Sequence, residues 1–218
     1  RDPLFFSRTI DWVCKKSGTS RTALTLPTDD DLARRAQARQ GLTRPELAVL
    51  QAHVKMHVFK ELVRSESGEI PGFDDRVRAY FPKVIQSRYQ DAIDTHMLHR
   101  SIGMTTLLSE VVGNAGVLFF PMLQEWTGAS ATAISRAWVT TMDAIKAANI
   151  ARELENCGAS IDARYKAWIE VQNGVTGLLA FALSPGQSGL VDEPMDTIRE
   201  VLRLLPKIQG AAHQEQLK

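Results

Sequence analysis

His53 and His57 stand four residues apart, with Glu61 one further turn along. On a helix this spacing turns both imidazoles to one side and brings a carboxylate into range as a third donor, a set of the kind that holds zinc. The sequence lacks the glutamate that follows the first histidine in zinc hydrolases, and the same side carries Lys60 and Arg64, whose charge opposes a cation. The stripe His53, His57, Lys60, Glu61 and Arg64 therefore predicts a polar face, solvated or turned toward another domain, and no metal ligand is assigned.

Other chemistry has less support. Gly113-Asn-Ala-Gly116 has neither the spacing nor the preceding strand of a dinucleotide fingerprint, and no phosphate-loop lysine follows a glycine run. No Gly-x-Ser-x-Gly elbow presents a nucleophilic serine. His96 continues a stripe through Ile85, Tyr89 and Ala92, so it is expected as a hydrogen-bonded core or helix-end histidine; His99 and His213 have no evident partner. Arg34, Arg35, Arg39 and Arg44 interleave with aspartates and lack aromatic neighbours, the pattern of a solvated face and not of a nucleic-acid surface. Cys14 and Cys157 fit neither a zinc nor a redox spacing and are expected as reduced thiols of a cytoplasmic protein. No residue is assigned as catalytic, cofactor-binding or metal-binding.

Composition sets the frame in which those residues sit. The chain has 218 residues, 26 Lys and Arg against 25 Asp and Glu, and 44% hydrophobic residues. That length supports a substantial core without staples, and the near-zero balance argues against a whole-molecule attraction to nucleic acid or an anionic membrane. No run approaches the roughly 18 apolar residues of a membrane span, so a soluble protein is expected. The chain opens with Arg-Asp-Pro and no signal-peptide pattern, which points to a position inside a longer gene product.

The elements follow from punctuation and periodicity. Residues 1–28 read as a lead-in segment, a short element followed by a loop. Asp29, Asp30 and Asp31 ahead of Arg34, Arg35 and Arg39 complement a helix dipole over Asp31–Gln40, with Gly41 as the stop. Thr43-Arg44-Pro45-Glu46 forms a capping box with proline in the first turn, where its missing donor costs nothing. The helix it starts has two apolar stripes, Leu47, Leu50, Val54, Val58, Leu62 and Val49, Ala52, Met56, Phe59, Val63, which predict a central core helix. A loop over Glu66–Phe73 and a short helix over Asp74–Phe81 come next, the latter ended by Pro82. Helical spacing continues through Ile85–His96 and Leu98–Val112 with a break near Met97, and Val117–Glu125 is read as helical. Ser130 caps a helix with the core face Ile134, Trp138, Thr141, Ile145, and Ser160 caps another carrying Ile161, Tyr165, Trp168, Val175, Leu179 and Ala182. A last amphipathic segment holds Met195, Ile198, Leu202 and Leu205, and a polar tail follows from Gln209. The expected fold is all-α, an irregular bundle of about seven to nine helices, with 29–158 as the main domain and 159–218 as a helical extension packed on it.

Gly41-Leu-Thr-Arg-Pro-Glu-Leu-Ala-Val-Leu50 resembles a hallmark string of the large bacterial NAD-dependent glutamate dehydrogenases, in the helical region after their catalytic domain. Leu26–Ala33, Tyr80-Phe-Pro82, Arg88, Tyr89, Asp91-Ala-Ile93, His96, Leu98, Arg100, Ile102 and Thr105 follow in family order, as do Gly116, Phe119, Leu123, Gln124, Glu125 and Thr127-Gly-Ala-Ser130. The resemblance runs from about Leu24 to Glu153. Met97 stands where the family usually has proline, and Val112-Gly-Asn-Ala-Gly116 replaces a Val-Asn-Arg-Gly-Gly stretch. The resemblance implies a parent that oxidatively deaminates L-glutamate with NAD, and a C-terminal domain here that carries none of the catalytic or cofactor residues. It implies the parent's catalytic region as the partner, with assembly into a homo-oligomer through that parent, and neither nucleic acid nor membrane. The alternative is a free-standing helical interaction or regulatory domain.

Overall fold

The structure, a computed structural model, describes residues 3–65 and 70–185. Every regular element among them is helical: α1 (Pro3–Ser17), α2 (Asp29–Gln37), α3 (Arg44–Arg64), α4 (Phe73–Tyr80), α5 (Lys83–Arg88), α6 (Gln90–Asp94), α7 (His99–Ala115), α8 (Phe119–Thr127), α9 (Ala131–Ala144), α10 (Ala147–Asn156) and α11 (Ile161–Ala182). The all-α expectation holds, with a finer division than periodicity gave. Tyr89, at φ −132° and ψ 36°, separates α5 from α6, and Lys146 in the left-handed region at φ 53° separates α9 from α10. The segment with Met195, Ile198, Leu202 and Leu205, the tail, His213 and the first half of the Glu66–Phe73 loop lie outside the described residues. The chain divides into two compact units, the first ending at Glu125 and the second beginning at Trp126.

In the first unit α3 packs on α1 and α7, and α4 packs on α7. The capping box forms as predicted: Thr43 Oγ1 accepts from the Glu46 amide, and the Glu46 carboxylate accepts from the Thr43 amide at 2.7 Å. Leu50, Val54, Val58 and Leu62 are fully buried, but Met56 and Ala52 of the second stripe are exposed, so α3 is buried along one face instead of all round. The helix α7 also enters the core, through Met104, Leu107, Leu108, Val111 and Val112. Gly103 sets the approach of α4 to α7: a Cβ there would lie 2.3 Å from the Phe73 ring and 2.9 Å from Val77.

Residues 1–28 hold more structure than their irregular pattern suggested. α1 runs fifteen residues because Thr9, Ile10 and Val13 are buried, a tertiary contact that no sustained period announces. The stop of α2 is also different. Thr28 and Asp31 make a second capping box at its start, and Arg39, at φ 55°, ends it two residues ahead of Gly41. The Arg39 amide donates to the Ala36 carbonyl and the Gln40 amide to the Arg35 carbonyl, the paired bonds of a Schellman turn without its usual glycine.

In the second unit α9, α10 and α11 pack on one another. Both serine caps form, Ser130 accepting from the Ala133 amide and Ser160 from the Ala163 amide. Ile134, Trp138 and Thr141 are buried as the spacing predicted; on α11 only the later half of the stripe, Val175, Leu179 and Ala182, is buried, while Ile161 and Tyr165 are exposed.

Candidate functional site

The polar face of α3 begins at its cap. Arg35 of α2 donates to both carboxylate oxygens of Glu46, at 2.6 and 3.0 Å, while Glu46 also serves the Thr43 amide. The guanidinium first and the Thr43 donors second hold the Glu46 carboxyl down to about 2. Arg35 is thus the one member of the predicted basic cluster that is consumed by the α2–α3 joint; Arg44 and Pro45 occupy the exposed first turn. A cleft of about 480 Å³ opens nearby between Phe6, Leu32, Ala36, Leu42 and Leu47, with Arg39 at its edge. It offers apolar walls and one cation, with no converging set of polar groups.

Further along α3, His53 and His57 lie with ring centroids 6.4 Å apart. His57 meets the edge of Trp12 from α1 at 5.9 Å, and Lys16 sits 5.6 Å over that indole. His53 Nδ1 and His57 Nε2 are buried without a hydrogen-bond partner. Burial, then the charges of Lys60, His53 and Lys16, press the His57 pKa below its ordinary value. Gln124 Nε2 donates to both Glu61 oxygens, at 3.2 and 3.0 Å. Among the described residues no group of three or more His, Cys, Asp or Glu is placed to hold a metal ion. The stripe thus divides into His57 against α1, Glu61 engaged by Gln124, and an exposed remainder of Lys60 and Arg64.

The remaining candidates serve structure. His96 Nδ1 accepts from the Leu98 amide at 3.1 Å, a helix-end role, although Tyr89 and Ala92 of its supposed core stripe are exposed and Ile93 is the buried residue. His99, for which the sequence offered no partner, lies 3.6 Å from Asp74 and against the Phe73 ring. Gly116 closes α7 at φ 90°, its amide donating to the Val112 carbonyl, so the Gly113–Gly116 string terminates a helix and does not fit a dinucleotide. Both cysteines are free; burial raises the Cys14 thiol pKa.

Several contacts had no local signal. Arg100 of α7 donates to the Leu62 and Val63 carbonyls at the end of α3 and so satisfies acceptors the helix leaves open. Arg21 joins α1 to α2, donating to Asp11, Asp29 and Ser7 Oγ at 2.6, 2.8 and 2.9 Å. Their partners lie far off in sequence, and spacing rules see only a few residues at a time. No single described helix is long and apolar enough to cross a membrane.

The comparisons with known proteins agree with one another. A family model described as glutamate dehydrogenase, C-terminal, matches residues 39–183. The chain is 35% identical over 136 residues to the NAD-specific glutamate dehydrogenase of Mycobacterium tuberculosis, which covers 62% of this chain and 8% of that protein. It is 33% identical over 130 residues to the enzyme of the same name from Halomonas elongata, covering 60% and 8%. With that of Pseudomonas aeruginosa the identity is 32% over 138 residues, covering 63% and 8%. The matched stretch spans less than a tenth of the length of these relatives.

Proposed function

Because the chain belongs to the glutamate dehydrogenase C-terminal family, we propose that it serves as the helical, non-catalytic C-terminal portion of a large NAD-dependent glutamate dehydrogenase. The parent's reaction converts L-glutamate, NAD⁺ and water to 2-oxoglutarate, ammonia and NADH, a step of amino-acid catabolism in the bacterial cytoplasm. NAD and the chemical step belong to the upstream part of the parent. The helical portion packs against that catalytic region and contributes to assembly or regulation, including homo-oligomerisation through the parent.

The observation that carries this reading is the continuous match over residues 39–183, from the approach to α3 to the end of α11, to a family defined as a C-terminal part. The geometry is in keeping with it: the two carboxylates of α3 are engaged at helix joints, Glu46 by Arg35 and Glu61 by Gln124. NADH formation followed at 340 nm tests it. The purified 218-residue chain is expected to give none with glutamate and NAD⁺, while the complete gene product turns over. Turnover by the chain alone overturns the non-catalytic assignment. A gene without an upstream dinucleotide-binding region overturns the parent in favour of a free-standing interaction module.

A further inference from the structure

The contact between α9 and α11 leaves one polar side chain poorly served. Gln172 of α11 is 4% exposed, its Nε2 donates to the Met142 sulfur of α9 at 3.7 Å, and its Oε1 has no hydrogen-bond partner. A buried amide ordinarily finds an oxygen acceptor; this one has a thioether, which accepts weakly. Among the described residues no other methionine sulfur takes a hydrogen bond.

The side of α9 that carries Met142 repeats the shortage. Trp138 and Ser135 stand four and seven residues earlier, the spacing of one helix face. Trp138 Nε1 and Ser135 Oγ are both buried without a partner, and an indole N–H can only donate. Buried donors thus stand on both helices with no oxygen acceptor bonded to any of them, a cost that a native structure keeps for a reason. Met142 itself is half-buried and open to a small oxidant from the solvent side, whereas Met104 is fully enclosed.

One chemical change supplies the missing acceptor. Oxidation of a thioether gives a sulfoxide, a polar group with a chiral sulfur that ordinarily disrupts a packed interface. Beside Gln172 its oxygen meets a donor already in place. We propose that Met142 is a site of reversible oxidation by peroxide, its sulfoxide oxygen accepting from Gln172 Nε2, so that the α9–α11 contact survives the modification. The sulfur lone pair attacks one peroxide oxygen, and the S–O bond forms as the O–O bond breaks. The departing hydroxide takes the proton left on the transferred oxygen and becomes water; sulfur is oxidised and peroxide reduced by the same electron pair. Sulfoxide reductases return the thioether, each acting on one epimer.

The test treats the complete gene product with hydrogen peroxide, maps the methionines by peptide mass, and reads the Met142 epimers by treatment with the reductase specific for each. The expected result is a Met142 sulfoxide with one epimer in about fivefold excess, the ratio that a single hydrogen bond supports. Oxidation after unfolding in guanidinium chloride is expected to give near-equal epimers. Gln172→Leu is expected to bring the folded ratio toward one while α9 and α11 keep their amide-exchange protection. If that variant does not fold, the oxidised wild-type protein decides: protection of α9 and α11 is expected to stay at or above that of the unoxidised protein. A Met142 that stays a thioether while other methionines are converted overturns the assignment. So do equal epimers in the folded protein, an excess unchanged by Gln172→Leu, or protection of α9 and α11 lost on oxidation.

Discussion

The two units solve helix packing with different chemistry. In the first, arginines reach from one element to the next: Arg21 to Asp11 and Asp29, Arg35 to Glu46, Arg76 to Glu110, Arg78 to Asp94, and Arg100 to the carbonyls that close α3. In the second, Ile134 and Trp138 of α9 and Val175 and Leu179 of α11 are buried, and Gln172 donates to the Met142 sulfur at 3.7 Å. Among its described residues a single arginine, Arg164 of α11, reaches a neighbouring helix, at the Glu155 carbonyl of α10. Length accounts for the contrast. The first unit contains helices of nine, eight, six and five residues, too short to hold themselves, and directional charged contacts fix their angles. In the second, α9 and α11 run fourteen and twenty-two residues and can be set largely by shape, while the ten-residue α10 takes the one arginine contact, from Arg164.

That contrast can be broken by mutation. Trp138→Ala, at a residue 1% exposed, empties the largest buried side chain of the second unit and should cost about 3–5 kcal/mol. Hydrogen exchange should show α9–α11 losing protection while α3 and α7 keep theirs; equal loss in both would mean that the units do not differ as described. Gly103→Ala forces a Cβ into Phe73 and Val77 and should cost about 1–3 kcal/mol in urea denaturation, with protection falling first in α4. No change would show that the α4–α7 approach has slack.

Acid should act on the first unit selectively. The Glu46 carboxyl is held at about 2, below its value of 4.5 in an unfolded chain. Its contribution is therefore complete above pH 4.5 and is lost as pH falls toward 2, because the unfolded state takes up the proton first. After screening at this partly exposed joint the contribution is about 1–2 kcal/mol, so Glu46→Gln should flatten the denaturation midpoint between pH 4.5 and 2. An unchanged slope would remove the Arg35–Glu46 joint from the ledger. His57 gives the smallest effect. Its pKa is depressed, so stability is full above pH 6.5 and declines as pH falls below it, where the unfolded histidine charges and the folded one resists. His57→Phe should remove that slope in the window from pH 7 to 5; a persistent slope would assign it to another histidine.

Much of this was legible in the chain because caps are local. Thr43 to Glu46, Ser130 to Ala133 and Ser160 to Ala163 each span three residues, and each formed. The all-α class and the hallmark string at Gly41–Leu50 were legible for the same reason. What escaped depends on distance or context. Arg39 ends α2 in a conformation that favours glycine, which residue type alone does not reveal. The stripes of α3 and α11 overstated burial because periodicity says which residues share a face and not how far the neighbouring helix extends. For the polar face, the spacing placed His53 and His57 side by side as they are, but it could not see Trp12 coming from α1 or Gln124 taking Glu61.

Arg100 binds carbonyls 37 and 38 positions earlier in the chain, so its guanidinium pins both ends of an excursion that contains α4, α5 and α6. In polymer terms this contact is a clasp on a closed loop, and the entropy of closing such a loop rises only by about 0.6 kcal/mol for each doubling of its length. Because Phe73, Val77 and Ile93 bury the helices of the excursion, that low cost belongs to its exposed joints, such as Pro82 and Met97, where added residues are expected to leave the α3–α7 frame in register.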